Sequence, residues 1–375
     1  MIKKDRLIRL TQRLIQINSE NPPGDESHIA IFVQGYLKKM GLKSKIYAFR
    51  KKRSNILAEL QGRDNKRSLL ITPHLDTVPS GRNWKTPPLR GTIRKDKIYG
   101  LGATDCKGNL ACALEAINSI VEEGKVLDYN LIFCATADEE SGSSLGLIPL
   151  LEKKILRPDM AIVLDADDFE IIVTQKGLMH IKVKIEGKRA HGAYPDMGVN
   201  AIDIAVNIIK ELRSQEFCYT KNKYLKPPTI NVGTIRGGDK VNIVADWCEF
   251  ELDFRFLPGE SATDVLEKTK KIINKYARKF KIEIEGIQDP YCISQKHALV
   301  EHLTKAMRKL KVRPAIRGSE GATVITFFQH KKIPAVATGF GSGKCAHAVD
   351  EYAKINNLYK GAKVLEVFLK TYKFN

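Results

Sequence analysis

The sequence predicts an α/β protein in which a central, mostly parallel sheet is interrupted by an inserted α+β domain. Short apolar runs at 68–73, 131–137 and 161–164 have the length of single strands and lie between helical patterns, which is typical of buried parallel strands. After Gly177, apolar and polar residues alternate, which indicates a strand with one buried face. The 375 residues exceed the usual size of one hydrophobic core, so two domains are expected.

The first part of the chain alternates helices and strands. Apolar residues at helical spacing predict one helix that ends before residues 21–24 and a second that ends at Gly41. The loop over 78–98 is too long to be a simple connection. A Gly-rich turn over 100–108 leads into a third helix. The strands expected in this part lie at 43–49, 55–61, 68–73, 131–137 and 161–164.

Residues 177–289 have the pattern of the inserted domain. The strand after Gly177 is the first element of a β-α-β-β-α-β order, as in a split, ferredoxin-like fold. Its later elements are expected at 198–214, 228–236, 241–256, 261–279 and 281–287. We therefore expect a first domain built from 1–176 and 290–375. Its second part should contain a helix at 296–310, a helix after Ser319, a strand at 333–337 and a last helix at 355–371.

Composition bears on the possible partners. The formal net charge is +19, which raises nucleic acid as a partner. The basic residues are spread along the chain without interleaved aromatic residues or a binding motif, so no nucleic-acid partner is expected. No apolar run is long enough to cross a membrane, and no membrane partner is expected. The N-terminus continues directly into an amphipathic helix, without the apolar region of a secretory signal, which favours a cytoplasmic location.

The cysteines predict reduced thiols. There are seven, and none forms a Cys-x-x-Cys pair. They are Cys106, Cys112, Cys134, Cys218, Cys248, Cys292 and Cys345. Cys106 and Cys345 stand beside candidate ligands of a metal.

Polar side chains follow the three apolar runs at their carboxyl ends, where an open α/β sheet borders its ligand crevice. They are His74 and Asp76 after the first run, Asp138, Glu139 and Glu140 after the second, and Asp165 after the third. A His-x-Asp pair alone is more often a hydrogen-bonded pair at a strand end. Three adjacent acids can be a solvated turn, but at the end of a buried strand they need a cation or a proton to compensate them.

The eight histidines divide by context. Five stand on polar surfaces or in turns: His28, His180, His297, His302 and His330. His74, His191 and His347 occur among Gly, Ala and polar residues, and His347 follows an apolar strand, as His74 does. Asp105 stands in the Gly-rich turn, where small neighbours would let two cations approach one carboxylate.

These groups suit a metal centre. Two histidines and several carboxylates at strand ends can hold two Zn²⁺, or one Zn²⁺ with an exchangeable Co²⁺ or Mn²⁺. His74, Asp105 and Asp165 fit one ion. His347, Glu140 and again Asp105 fit the other. One acid of the set remains without a metal, and hydrolysis needs a base.

The same segments resemble the di-zinc metallopeptidases that include acetylornithine deacetylase, succinyl-diaminopimelate desuccinylase, aminoacylase and carboxypeptidase G. The matches run in family order over nearly the whole chain. They are residues 74–79, 102–108 and 138–142, Asp165, His191 with Pro195 and residues 198–201, residues 253–258, and residues 346–351. The resemblance implies a zinc-peptidase-like catalytic domain interrupted by a ferredoxin-like lid and dimerisation domain.

The resemblance also implies an activity. It indicates an amidohydrolase with two Zn²⁺ that cleaves the amide bond of an N-acyl amino acid with a free carboxylate, by attack of a water that bridges the metals. A dipeptidase or carboxypeptidase of the same family is the alternative, because its substrates carry the same carboxylate. A non-catalytic binding protein is a further alternative, although a binding protein has no need of an unligated base beside its ligands.

Residue roles follow from the resemblance as expectations. Asp105 would bridge the metals, and Glu139 would be the general base that passes a proton from water to the leaving amine. Asp76 would orient His74.

The inserted domain carries two further matches. His191 would stabilise the oxyanion, commonly in the partner subunit's site, so a homodimer through this domain is expected. Arg255 would pair with a substrate carboxylate, which suits the guanidinium fork. The stretch 321–324 departs from the family, because Val324 stands where an Asp is frequent. Because this stretch is expected near the substrate rather than among the metal ligands, the departure concerns the identity of the substrate more than the hydrolysis.

Overall fold

The computed structural model describes residues 1–215 and 219–374, so the prediction for Cys218 lies outside the described residues. The chain divides into two compact units. The first unit comprises Met1–Val173, Ile293–Arg317 and Phe327–Asn375, and the second comprises Thr174–Cys292 and Gly318–Thr326.

The described helices differ in how much of their surface is buried. They are α1 (Lys4–Ile15), α2 (Ser27–Lys39), α3 (Lys107–Glu122), α4 (Leu147–Glu152), α5 (Ala201–Ser214), α6 (Ala262–Tyr276), α7 (Ala298–Lys309), α8 (Ile325–His330) and α9 (Ile355–Thr371). Small and apolar residues on most sides of α3 allow it to be buried almost along its whole length, and it packs against α1 and α9. In the described part of the chain, no helix combines the length and the apolar character needed to cross a membrane.

The strands of the described residues form three sheets. They are β1 (Ser44–Arg50), β2 (Arg53–Leu60), β3 (Asp64–Thr72), β4 (Thr92–Arg94), β5 (Lys97–Tyr99), β6 (Tyr129–Ala135), β7 (Met160–Val163), β8 (Glu170–Gln175), β9 (Gly177–Glu186), β10 (Thr229–Gly237), β11 (Trp247–Phe256), β12 (Phe280–Gln288), β13 (Tyr291–Cys292), β14 (Ala315–Ser319), β15 (Ala335–Thr338) and β16 (Tyr352–Lys354). A small sheet in the first unit has the order β16-β5-β4.

The first unit is built on a sheet with the order β1-β2-β6-β3-β7-β15-β8. The central strands β6, β3, β7 and β15 run parallel to one another. Antiparallel pairs lie outside them, β1 with β2, β2 with β6, and β8 with β15. The predicted α/β class with parallel strands at the centre of the sheet is therefore confirmed. The apolar strand β8 was not predicted.

The second unit contains an antiparallel sheet with the order β10-β11-β9-β12. With α5 and α6 it gives the predicted β-α-β-β-α-β order along the chain. Alternate residues of β9 and β11 are buried against the two helices, as the period of two requires. The prediction of strand over 241–246 was wrong. Val241 is fully exposed, Ile243 makes only an isolated bridge to His191, and the strand begins at Trp247.

Candidate metal centre

One edge of the first unit's sheet collects the candidate ligands. The parallel strands β3, β6, β7 and β15 are neighbours, so their carboxyl ends meet at one edge, where α/β proteins bind ligands. β3 leads to His74, β6 leads to Glu139 and Glu140, and β7 leads to Asp165. His347 follows β15.

Asp105 lies between the two candidate histidines. Its Oδ1 is 2.8 Å from Nε2 of His74, and its Oδ2 is 3.2 Å from Nε2 of His347. The carboxylate thus presents one oxygen to each imidazole. This is the arrangement expected of a ligand that two metal ions share.

Each histidine has a further acid nearby. Oδ1 of Asp165 lies 3.9 Å from Nε2 of His74, and Oε1 of Glu140 lies 3.1 Å from Nε2 of His347. One ligand atom each from Asp105, Glu140 and His347 lies within 4.8 Å of the others. The structure therefore brings Asp105, Glu140 and His347 together as one group, and it places Asp105 and Asp165 at 2.8 and 3.9 Å from His74.

The pKa values of these groups are perturbed, because several acids share a buried space. Burial raises the pKa of Glu139 well above its usual range, and the charge of Asp165 adds to the effect. Burial and the charge of Asp105 raise the pKa of Asp165 to about 7. Hydrogen bonds to Asp105 and Glu140 raise the pKa of His347 to about 10. In the absence of metal, protons on these groups therefore compensate the acids. Divalent cations could take that place, and the mixed imidazole and carboxylate donors suit Zn²⁺, Co²⁺ or Mn²⁺.

Cys106 is close enough to be a third ligand beside His74 and Asp105, but its surroundings favour a structural role. Its thiol accepts the N–H of His74 at 3.1 Å and donates to the carbonyl of the same residue at 3.3 Å. Burial raises the pKa of the thiol to about 12. Because metals bind the thiolate, a protonated Cys106 instead fixes the backbone that carries His74.

Asp76 lies beside both His74 and the segment after β6. Nδ1 of His74 is 2.9 Å from the backbone carbonyl oxygen of Asp76 and 3.6 Å from its carboxylate. The carboxylate also accepts the N–H groups of Glu139 and Glu140, at 3.1 and 3.2 Å. These contacts fit the expected orienting role of Asp76, which stays a prediction, and its side chain also positions the segment after β6.

A buried ion cluster beside this segment was missed in the sequence. The guanidinium of Arg53 donates to both oxygens of Glu26, at 2.8 and 2.7 Å, and to Oδ1 of Asp138 at 2.8 Å. The amide of Asn21 donates to the carboxylate of Asp76 at 2.9 Å. Arg53 ends the basic run over 51–53 and lies before the predicted strand over 55–61, whereas the observed strand β2 begins at Arg53 itself. The local pattern therefore gave no signal that this side chain is buried.

His191 and Arg255 lie in the second unit, and their functional roles remain predictions. His191 is exposed after β9, and its Nδ1 accepts the N–H of Ala193 at 3.1 Å. Arg255, on β11, makes two hydrogen bonds to Asp253, at 2.8 and 3.1 Å.

Comparisons with known proteins agree with this geometry. The profile of Peptidase family M20/M25/M40 matches residues 70–371. An uncharacterized metallohydrolase of Methanocaldococcus jannaschii is 30% identical, over 98% of this chain and 99% of its own. The acetylornithine deacetylase of Photorhabdus laumondii is 29% identical, over 97% of this chain and 96% of its own. A tripeptidase structure from Staphylococcus aureus has 26% identity and a TM-score of 0.83, over 99% of this chain and 98% of its own. The chain therefore belongs to Peptidase family M20/M25/M40 and is a metallohydrolase that acts on amide or peptide bonds.

Proposed function

We propose that this hydrolase removes the acyl group from an N-acyl amino acid with a free carboxylate, using two metal ions. The observation that supports it most directly is Asp105, whose two oxygens face His74 and His347 at 2.8 and 3.2 Å. The similarity to an acetylornithine deacetylase supports the deacylase class.

The proposed metal set divides around Asp105. His74 and Asp165 would complete one site, and His347 and Glu140 the other. Zn²⁺ is the proposed ion at each, with Co²⁺ or Mn²⁺ as substitutes. When bound, two divalent cations supply Lewis acidity for the carbonyl and for water.

Glu139 is the proposed general base. Three strand-end acids lie outside both ligand groups. Two of them are already engaged, Asp76 by the backbone N–H groups of Glu139 and Glu140 and Asp138 by Arg53. Glu139 is the third, and its raised pKa brings proton uptake closer to neutral pH. Its carboxylate takes a proton from the attacking water. It then returns that proton to the nitrogen of the leaving amine as the amide C–N bond breaks.

Glu139→Gln tests this role, because the amide has the same shape and cannot take the proton. We expect turnover to fall by about 10²–10⁴-fold while both metals stay bound. Glu59→Gln, the same change at an exposed position of β2, is the matched control and should keep wild-type turnover. A wild-type rate in Glu139→Gln would refute the role of Glu139 as the general base.

Asp105→Ala tests the centre itself. Removal of the shared carboxylate takes a ligand from both sites, so we expect the loss of both metals rather than of one. Metal content after dialysis against a fixed free zinc concentration measures this. Retention of two ions per chain would contradict the bridging role.

The second unit supplies the proposed contacts to substrate. Arg255 now pairs with Asp253. It would bind the substrate carboxylate either in place of Asp253 or together with it. His191 is proposed as the donor to the oxyanion. Arg255→Lys keeps the charge but loses the fork, and it should raise KM more than it lowers kcat.

A peptidase is the second candidate, supported by the similarity to the tripeptidase structure. Val324 is buried and stands where the resemblance leads us to expect an Asp, so we expect a substrate that differs from those of family members with that Asp. Side-by-side kcat/KM values on N-acetylornithine, N-succinyl-diaminopimelate, dipeptides and tripeptides separate the two. A higher kcat/KM on the peptides than on the acyl amino acids would refute the proposed deacylase activity.

A homodimer through the second unit is part of the proposal. The outer strands β10 and β12 carry the exposed apolar residues Ile235 and Ile284, which suits an interface. Mixing His191→Ala chains with Glu139→Gln chains tests an exchanged histidine, because mixed dimers would regain one intact site. If subunits are shown to exchange and activity still does not recover, His191 does not act in the partner subunit's site.

A cytoplasmic location is also proposed. The described cysteines are free thiols without disulfides among them, which suits a reducing compartment. Fractionation of cells that express the chain tests this location.

A further inference from the structure

Glu351 is a buried carboxylate to which the proposed chemistry gives no task. The residue is 1% exposed. Its Oε2 accepts the N–H of Gly102 at 2.9 Å. Its Oε1 accepts the N–H groups of Thr104 and Asp105, at 2.7 and 3.0 Å. Three backbone donors of one turn therefore converge on a single carboxylate.

The turn is attached to the same C-terminal segment at a second point. The hydroxyl of Thr104 donates to the carbonyl of Tyr352 at 2.8 Å and accepts the N–H of Ser342 at 3.0 Å. Gly102 adopts a φ of +80°, and a Cβ there would lie 2.8 Å from the side chain of Thr77. The backbone conformation of the turn and its attachment to residues 342–352 thus determine where Asp105 lies.

Asp105 is the acid that both proposed metal sites share. Glu351 holds the backbone N–H of Asp105, whose carboxylate oxygens lie 2.8 and 3.2 Å from His74 and His347. Glu351 also follows His347 by four positions. One short segment therefore carries a proposed ligand together with the acceptor that fixes the shared acid.

We propose that Glu351 is a positioning residue that holds Asp105 ready to bind both metals. The inference rests on the proposed two-metal centre. Residues that orient metal ligands affect affinity because a misplaced ligand must be reordered when the ion binds. Glu351 should therefore control metal affinity without touching metal or substrate.

Glu351→Gln tests the inference. The shape is kept, but one accepting oxygen becomes an NH₂ group, so at least one backbone N–H of the turn faces another donor. We expect both ions to bind about 10–100-fold more weakly in a chelator competition assay. The visible absorption spectrum of the Co²⁺ form should also change, because the coordination geometry changes with Asp105.

Glu115→Gln is the matched control. Glu115 is a fully buried carboxylate in α3 that accepts the N–H of Lys3 at 2.7 Å and the guanidinium of Arg6. The same substitution there should lower stability and leave metal affinity unchanged. An equal loss of affinity in both variants would show a general effect of destabilisation and overturn the inference.

The outcomes separate this inference from the proposed function. A wild-type chain that does not bind two ions contradicts the two-metal centre and removes the basis of the inference. Two ions in the wild type with unchanged affinity in Glu351→Gln overturn only the inference. If circular dichroism shows that the metal-free Glu351→Gln chain is unfolded, Glu351→Asp decides instead, because the shorter side chain keeps the carboxylate but cannot reach all three backbone N–H groups of the turn. An affinity loss of several-fold supports the role, and wild-type affinity overturns it.

Discussion

Removal of Arg53 should strongly destabilise the first unit. The guanidinium is 4% exposed and lies between Glu26, which is fully buried, and Asp138, which is 4% exposed. In Arg53→Met both carboxylates lose their cation but stay away from water. Breaking a buried ion pair costs about 3–5 kcal/mol, so we expect the free energy of unfolding of the first unit to fall by that amount.

The two tryptophans allow the first unit to be measured separately, because Trp84 lies in it and Trp247 lies in the second. Urea unfolding of metal-free chains, followed by the fluorescence of Trp84 in a Trp247→Phe background, gives the free energy. Arg63→Met is the matched control. Arg63 pairs with Asp128 at 3.2 Å with both side chains more than half exposed, and such pairs contribute at most about 1 kcal/mol.

Two further measurements test whether Glu26 is left as an uncompensated buried charge. Burial already raises the pKa of Glu26, and Arg53 opposes this effect. Without Arg53 the folded-state pKa rises further, so the stability deficit should shrink as the pH falls from 7 towards the unfolded value near 4.3. The double variant Arg53→Met, Glu26→Gln should also regain part of the loss. A deficit equal to that of Arg63→Met, or one independent of pH, would refute the account.

Other predictions concern protons, caps and thiols. The pKa of His347 is raised to about 10 in the metal-free chain, so metal binding at pH 8 should release a proton from it, and affinity should rise by about tenfold per pH unit up to that value. Calorimetry in buffers of different ionisation enthalpy measures the number of protons released. If no proton is released, the proposed role of His347 as a metal ligand is contradicted. The same shift stabilises the metal-free fold below pH 6.5, and this contribution should vanish as the pH rises through about 10. Ser261→Ala breaks the capping box of α6 and should cost about 1 kcal/mol by Trp247 fluorescence, whereas Ser214→Ala, at an exposed helix end, should cost less. In a Cys218→Ser background only Cys292, the exposed thiol among the described residues, should react quickly with Ellman's reagent, and fast labelling of Cys106 would contradict its burial.

The architecture of the sheet was largely predictable, for a physical reason. Strands buried on both faces need uninterrupted apolar runs, so β3, β6 and β7 are visible in the sequence. The period of two in β9 reports a half-buried strand equally well. β8 was missed because its short apolar run lies directly before the alternating pattern of β9. The expected strand over 241–246 failed because this stretch makes only one isolated bridge, at Ile243: Val241 is fully exposed, and Val244 and Ala245 are buried without pairing in a strand.

The candidate site was predictable only as a set of residue types. The sequence by itself determined which acids and histidines follow the strands, because their positions along the chain and the apolar runs before them are local properties. Only the tertiary structure decided what each group contacts. It directs the carboxylate of Asp76 to the backbone of Glu139 and Glu140, and it buries Arg53 against Asp138, 85 residues away. It also wraps the turn of Asp105 around Glu351, 246 residues away. Such contacts join segments that are distant in the chain, and local patterns carry no information about which distant group will meet which.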